Sequence, residues 1–222
     1  MTDLIITIDG PAGSGKSSAA KMLAEKIGAA FLDTGATYRA ATLAAMTNQA
    51  DMKNLKALEE TINQTDFQLD SSGGKMTVKI NGIDCTEQIR DPKVTQAVPF
   101  IASAPSLRSK LVEMQRTFAS KHKKIVTEGR DQGTVVFPNA DYKFFLTAKT
   151  EERAKRRAQE LTAKGHKINL DELQQEIKNR DTLDKNRTIA PMTPAEDAII
   201  IDNTNLTLEQ TVDKILKHIE KR

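Results

Sequence analysis

The sequence predicts an α/β fold, a five-stranded parallel sheet covered by helices on both faces, with a small antiparallel insertion. Three observations predict it. Five short apolar runs, at residues 4–9, 30–32, 125–127, 142–146 and 198–202, alternate with segments of helical period. A glycine-rich turn stands between the first run and the first helix. Between residues 63 and 104 the period changes from helical to alternating, as in a half-exposed hairpin.

The elements follow in order. Residues 4–9 are rich in Ile and end at Gly10, as a buried strand would. Over residues 14–27, Ala19, Ala20, Leu23, Ala24 and Ile27 form one apolar stripe, and Gly28 suits a C-cap. A strand at 30–32 precedes a helix over 36–46 and a weaker one over 53–64. Phe67 and Leu69, then Met76, Val78 and Ile80, alternate with polar residues across Ser71-Ser72-Gly73-Gly74. Pro99 and Pro105 punctuate the helical end of this insertion. Strands at 125–127 and 142–146 come next, then a charged helix over 151–163 and another over 170–178. The strand at 198–202 and the helix over 208–219 close the pattern. No internal repeat or low-complexity tract is present.

Composition narrows the function. The 222 residues carry 33 Lys and Arg against 30 Asp and Glu, a net charge of +3. That balance gives no reason to expect nucleic acid as a partner. The lone Cys85 excludes a disulfide framework and a multi-cysteine zinc site. Aromatics make up 4% with no Trp, which disfavours stacking platforms for single strands. No apolar run approaches the roughly 20 residues needed to cross a bilayer, and no basic-then-apolar leader opens the chain. A cytoplasmic protein, without membrane contact and monomeric, is the expectation.

Gly10-Pro11-Ala12-Gly13-Ser14-Gly15-Lys16-Ser17 fits G-x-x-x-x-G-K-[ST] without mismatch, and Ser18 follows. The flanking strand and helix are those of a P-loop, so the core is read as a three-layer α/β/α nucleotide-binding fold. Its glycines let backbone N–H groups converge on phosphate oxygens at a helix N-terminus. Lys16 would bridge the outer phosphates and the Ser17 hydroxyl would bind Mg²⁺. The guanine-reading Asn-Lys-x-Asp is absent, so a small kinase fits better than a GTPase.

Arginines point to the acceptor. Arg39 follows the second strand and Arg130 the third, while Arg153, Arg156 and Arg157 share one helix face. Arg180, Asp184 and Arg187 share another. A phosphate acceptor is already an anion, so it needs charge compensation more than a general base. His122, His166 and His218 stand in polar or terminal settings. Solvated faces with local ion pairs are the competing reading of the arginine sets, both for Arg180 with Asp184 and for 153–157 beside Glu151, Glu152 and Glu160.

Over nearly its whole length the chain resembles bacterial cytidylate kinase. The resemblance rests on the phosphate loop, on Leu32-Asp33-Thr34-Gly35-Ala36-Thr37-Tyr38-Arg39, and on Gly129-Arg130-Asp131-Gln132-Gly133-Thr134. It continues through residues 151–157, Arg180-Asp181 with Asp184, and Asn186-Arg187. It implies transfer of the ATP γ-phosphoryl group to CMP or dCMP with Mg²⁺. Lys16, Arg130, Arg157 and Arg187 would be catalytic. Arg153, Arg156 and Arg157 would cover ATP as a lid. Thr34, Arg39, Arg130 and Arg187 would hold the acceptor phosphate and ribose, and Arg180 and Asp184 the sugar hydroxyls. Asp131 would accept from the cytosine amine, and Arg108 would donate to the ring. The implied layout is a core of 1–62, 105–149 and 190–222, a monophosphate-binding insertion at 63–104 and a lid at 150–189.

Two departures stand out. Pro99 replaces a frequent base-reading Ser, leaving Ser103 and Gln96 as candidates for that contact. Glu128 replaces the usual Asp before Gly-Arg-Asp, where a longer carboxylate could orient a metal-bound water. A kinase of another monophosphate or small acceptor, or a nucleotide sensor without turnover, are the rival readings.

Overall fold

The structure, a computed structural model, describes residues 2–72, 74–163, 165 and 167–220. Gly73 of the expected turn and His166 lie outside the described residues. The core is a five-stranded parallel sheet in the order β2-β6-β1-β7-β8. Its strands are β1 (Leu4–Asp9), β2 (Ala30–Asp33), β6 (Lys124–Gly129), β7 (Tyr142–Thr147) and β8 (Ile199–Asp202). Ile6 and Ile8 of the central strand are wholly buried, as are Ile125 and Val126 beside them. A strand covered on both faces must be apolar along its length, which is why these runs do not alternate.

The helices are α1 (Lys16–Ile27), α2 (Thr34–Thr47), α3 (Leu55–Gln64), α4 (Pro92–Ala102), α5 (Pro105–Ser120), α6 (Thr150–Thr162), α7 (Leu170–Asn186) and α8 (Leu208–Ile219). α1 begins at Lys16, two residues later than expected, because Gly15 is left-handed with φ 81°. α2 begins at Thr34, capped by the Asp33 side chain, which accepts from the Ala36 N–H at 2.9 Å. α8 opens with a capping box between Thr207 and Gln210.

Three strands form the separate antiparallel sheet: β3 (Phe67–Ser72), β4 (Lys75–Ile80) and β5 (Ile83–Asp84). Phe67 pairs with Ile80 and Ser72 with Lys75. Met76, Val78 and Ile80 face inward and join the main core. The Phe31 N–H donates to Ser71 Oγ at 2.9 Å, tying this sheet to β2.

Three helical features differ from expectation. Pro99 lies inside α4 instead of ending it. Pro105 opens a 16-residue helix, α5, at a position where proline's missing N–H costs nothing. Leu107 and Leu111 of α5 pack on Ala41, Ala45, Leu58 and Ile62 in a second core. α7 also runs on to Asn186, so Arg180 and Asp184 are helical. Among the described residues no helix is long and apolar enough to cross a membrane.

Candidate active site

The site lies at the carboxyl ends of β1, β2 and β6, where an open α/β sheet places its loops. The phosphate loop follows β1. A Cβ at Gly10 would sit 2.2 Å from the Leu146 carbonyl oxygen, so no side chain fits there. Gly13 adopts φ 73°, and a Cβ there would meet the Arg153 carbonyl oxygen at 2.9 Å. Asn203 donates to the Ser14 carbonyl at 2.9 Å and supports the loop from β8.

Lys16 is buried, with Nζ 3.2 Å from the Pro11 carbonyl and 3.9 Å from Glu128 Oε2. Burial pushes its ammonium down to about 8, and the charge of Arg130 adds to that effect while Glu128 opposes it. The same burial raises Glu128 above the usual carboxylate range. Ser17 Oγ donates to Glu128 Oε1 at 2.7 Å, and Thr34 Oγ1 donates to the Glu128 carbonyl at 2.7 Å. Asp9, at the end of β1, accepts the N–H groups of Gln132 and Gly133 at 2.9 and 2.8 Å. It thereby holds the turn after Gly129-Arg130-Asp131. Burial pushes the Asp9 carboxyl up to about 7.

A cleft of about 640 Å³ separates this loop from a set of paired arginines. Arg39 pairs with Asp33 at 2.8 Å, and Arg90 approaches the same carboxylate at 3.9 Å. Burial alone would raise Asp33, but Arg39 and Arg90 outweigh it and hold the carboxyl below its ordinary value. Arg108 and Asp131 form a buried ion pair, with Arg108 lying 5.6 Å from the Tyr38 ring centroid. Arg130 donates to Asp184 at 2.8 Å. Arg187 donates to the Ala190 carbonyl and lies 3.8 Å from Asp131 and 3.9 Å from Asp184.

Most expected site residues therefore meet. Gly13, Gly15, Lys16, Ser17 and Ser18 line the cleft on one side, with Ala12. Thr34, Arg39, Arg108, Arg130 and Asp131 line the other, and Arg157, Arg180, Asp184 and Arg187 reach it from α6, α7 and the turn beyond. Gly10, Pro11 and Ser14 belong to the loop but do not line the cleft.

Two expected lid arginines do not face the cleft. Arg153 is 5% exposed and bonds to Ala12, Ala148, Thr150 and Asp181. Arg156 donates to the Asn203 carbonyl at 2.8 Å and pairs with Glu152 at 3.5 Å. Their shared helical face with Arg157 shows spacing alone: Arg153 is packed inward, and Arg156 is half-buried with its Nη1 3.7 Å from where a Gly15 Cβ would stand. The base-reading candidates change likewise. Gln96, Pro99 and Ser103 are exposed outside the cleft, and α4 presents Thr95, Val98 and Ala102 to it. Asp33, Tyr38 and Arg90 also line the cleft without having been singled out. Asp33 and Tyr38 stand in the Leu32–Arg39 segment, which was the available signal; Arg90 had none.

A P-loop facing paired arginines across one cleft defines a kinase of small phosphorylated acceptors. The family model described as cytidylate kinase matches residues 6–221. The cytidylate kinase of Desulforamulus reducens is 44% identical over 216 residues, covering 97% of this chain and 96% of that one. Cytidylate kinase 1 of Haemophilus influenzae is 42% identical over 218 residues, covering 98% and 94%. An uncharacterized protein from Eubacterium ventriosum shares the fold, with TM-score 0.51 at 12% identity and 99% coverage of both chains. The chain belongs to the cytidylate kinase family, which are ATP-dependent nucleoside monophosphate kinases.

Proposed function

We propose that the cleft moves the γ-phosphoryl group of ATP onto the phosphate of CMP or dCMP, releasing ADP and CDP or dCDP. The observation that carries the choice of base is the buried Asp131, paired to Arg108 and facing the phosphate loop across the cleft. A fixed carboxylate accepts from the exocyclic amine of cytosine and repels the oxygen of uracil at the same place. Arg108 donates to the acceptor edge of the ring. Tyr38 supplies an apolar face, and Thr95 is the hydroxyl that α4 turns toward the cleft.

The phosphates fall to separate groups. Gly13, Gly15, Lys16, Ser17 and Ser18 hold ATP, with Arg157 above them. Arg39, Arg130 and Arg187, with Thr34, hold the acceptor phosphate, and Arg180 and Asp184 meet the sugar. Arg90 joins the acceptor set through its approach to Asp33. Two like charges about 4 Å apart repel by roughly 4 kcal/mol at an effective dielectric of 20, so opposed cations are what bring the two substrates together. Catalysis is positioning and charge stabilisation, with Lys16, Arg130, Arg157 and Arg187 as the catalytic cations.

Ser17 Oγ and Glu128 Oε1 are hard oxygen donors 2.7 Å apart beside the phosphate loop, a pair that suits Mg²⁺ completed by phosphate oxygens. Ser17 and Glu128 would hold the ion, which neutralises phosphate charge when bound. The insertion at 63–104 forms the acceptor side and residues 150–189 the side that covers ATP.

A coupled ADP-release assay over CMP, dCMP, UMP, AMP and GMP tests this reading. Preferential turnover of the cytidine nucleotides is expected. Turnover of another monophosphate alone, or nucleotide binding without turnover, would replace it with a different kinase or a sensor.

A further inference from the structure

The buried ion pair between Arg153 and Asp181 has no place in the scheme above, because neither side chain lines the cleft. The two carboxylate–guanidinium partners lie 2.6 Å apart, on α6 and α7. Both engage the backbone of the same phosphate-loop residue, Ala12, one on each of its two flanking peptide units. Arg153 Nη1 donates to the Ala12 carbonyl at 2.8 Å, and Asp181 Oδ1 accepts from the Ala12 N–H at 3.3 Å. Arg153 is fixed in turn by the Ala148 carbonyl and Thr150 Oγ1, each at 3.0 Å. The α6 backbone comes so close to Gly13 that only glycine fits.

Asp181 also sits between two acceptor-side groups. Arg180 precedes it, and Asp184, one turn later, holds Arg130 at 2.8 Å. One turn of α7 thus touches the ATP loop through Asp181 and the acceptor arginines through Asp184. The Arg153–Asp181 pair is buried, so the low dielectric keeps it stiff, and the Arg130–Asp184 pair is partly buried.

We propose that Asp181, with Arg153, is a positioning residue that sets the phosphate loop in register with the acceptor side of the cleft. It makes binding of one substrate favour the other. The proposal rests on the two-substrate reading given above. A positioning pair of this kind acts through the Ala12 backbone without touching either nucleotide.

The test is titration of a fluorescent ATP analogue with and without CMP, beside steady-state kinetics, on wild type, Asp181→Asn, Arg153→Lys and Asp197→Asn. The last variant breaks the ion pair with Lys143 at 2.9 Å, neither residue of which lines the cleft, and controls for general loss of a salt bridge. Wild type is expected to bind the analogue more tightly when CMP is present. Asp181→Asn and Arg153→Lys are expected to weaken the analogue about tenfold and to bring its CMP enhancement close to one. Asp197→Asn is expected to keep both values. Where thermal melting shows that Asp181→Asn does not fold, Arg153→Lys is judged by the same criterion. Wild-type enhancement retained in the folded variants overturns the proposal, as does a wild type without enhancement. A wild type that shows the enhancement without turning over any cytidine nucleotide removes the activity reading and leaves the coupling standing.

Discussion

The Glu128 carboxylate accepts the Ser17 hydroxyl at 2.7 Å, across 111 positions of sequence. The contact exists because β6 lies beside β1 in register, with Asp9 opposite Gly129, so the end of β6 meets the start of α1. The Glu128 carbonyl meanwhile receives the Thr34 hydroxyl, which places one residue between the phosphate loop and the start of α2.

Glu128→Gln keeps the shape and removes the charge. It is expected to lower kcat about 100-fold and to raise the Mg²⁺ concentration needed for half-maximal rate. Glu128→Asp is expected to stay within roughly tenfold of wild type, since the carboxylate is kept. A Mg²⁺ titration of the steady-state rate checks both.

Asp131→Ala leaves the Arg108 guanidinium buried without its partner. It is expected to lower kcat/KM for CMP at least about 100-fold, through the cost of that unpaired charge and the lost base contact. The affinity of an ATP analogue should change less than about threefold. Asp131→Asn can donate where the carboxylate cannot, so the CMP-over-UMP preference should fall about tenfold. Parallel assays with CMP and UMP, and a binding titration, read these effects.

Lys16 carries a pH signature. Its folded value near 8 lies below the ordinary 10.5, because burial disfavours the ammonium. Below pH 8 the side chain is charged in both states and the folded state bears the desolvation cost. That cost fades as pH rises from 8 toward 10.5, so the wild type gains stability over this window relative to a neutral side chain. Lys16→Met is therefore expected to raise Tm at pH 7 by roughly 5 °C, with the gain shrinking above pH 8. It should also lower kcat roughly 100-fold or more. In the wild type, kcat/KM for ATP should decline above about pH 8 as the free protein loses this proton.

α4 gives a comparison among neighbours. Thr95→Val removes the hydroxyl that faces the cleft and is expected to raise KM for CMP by about three- to tenfold. Gln96→Ala and Ser103→Ala remove exposed groups outside it and should leave KM within about twofold. Steady-state kinetics with varied CMP distinguishes these outcomes.

Local chemistry explains why the phosphate loop, the strands and the hairpin could be read from the chain. Each depends on a short run whose pattern is complete in itself, such as Gly10–Ser17 or the alternation of Met76, Val78 and Ile80. α5 could not be read because Pro105 serves equally as a terminator or as a first helical residue, and only its packing on α2 and α3 decides. The spacing of Arg153, Arg156 and Arg157 shows that they share a helix face. It does not show that the Ala12 carbonyl takes part of that face as the partner of Arg153. Pro99 was placed by resemblance at the base, but the rotation of α4 turns Thr95 inward instead. Most of the candidate site residues were legible, whereas their partners were set by β6, α4 and α7 meeting across the sheet.

The pairing of Arg39 with Asp33, Arg108 with Asp131, Arg130 with Asp184 and Arg157 with Glu160 bears on how the cleft behaves in salt. A pocket of bare arginines would draw any polyanion from a distance and lose it steeply as ions are added. Here these four guanidinium groups already have carboxylate partners, and Arg90 and Arg187 lie within 4 Å of carboxylates shared with them. An incoming phosphate must exchange with such a carboxylate, so added salt screens the bond being broken along with the bond being made. Discrimination in such a site follows from fit at contact, since the long-range field of the chain is nearly cancelled before any nucleotide arrives.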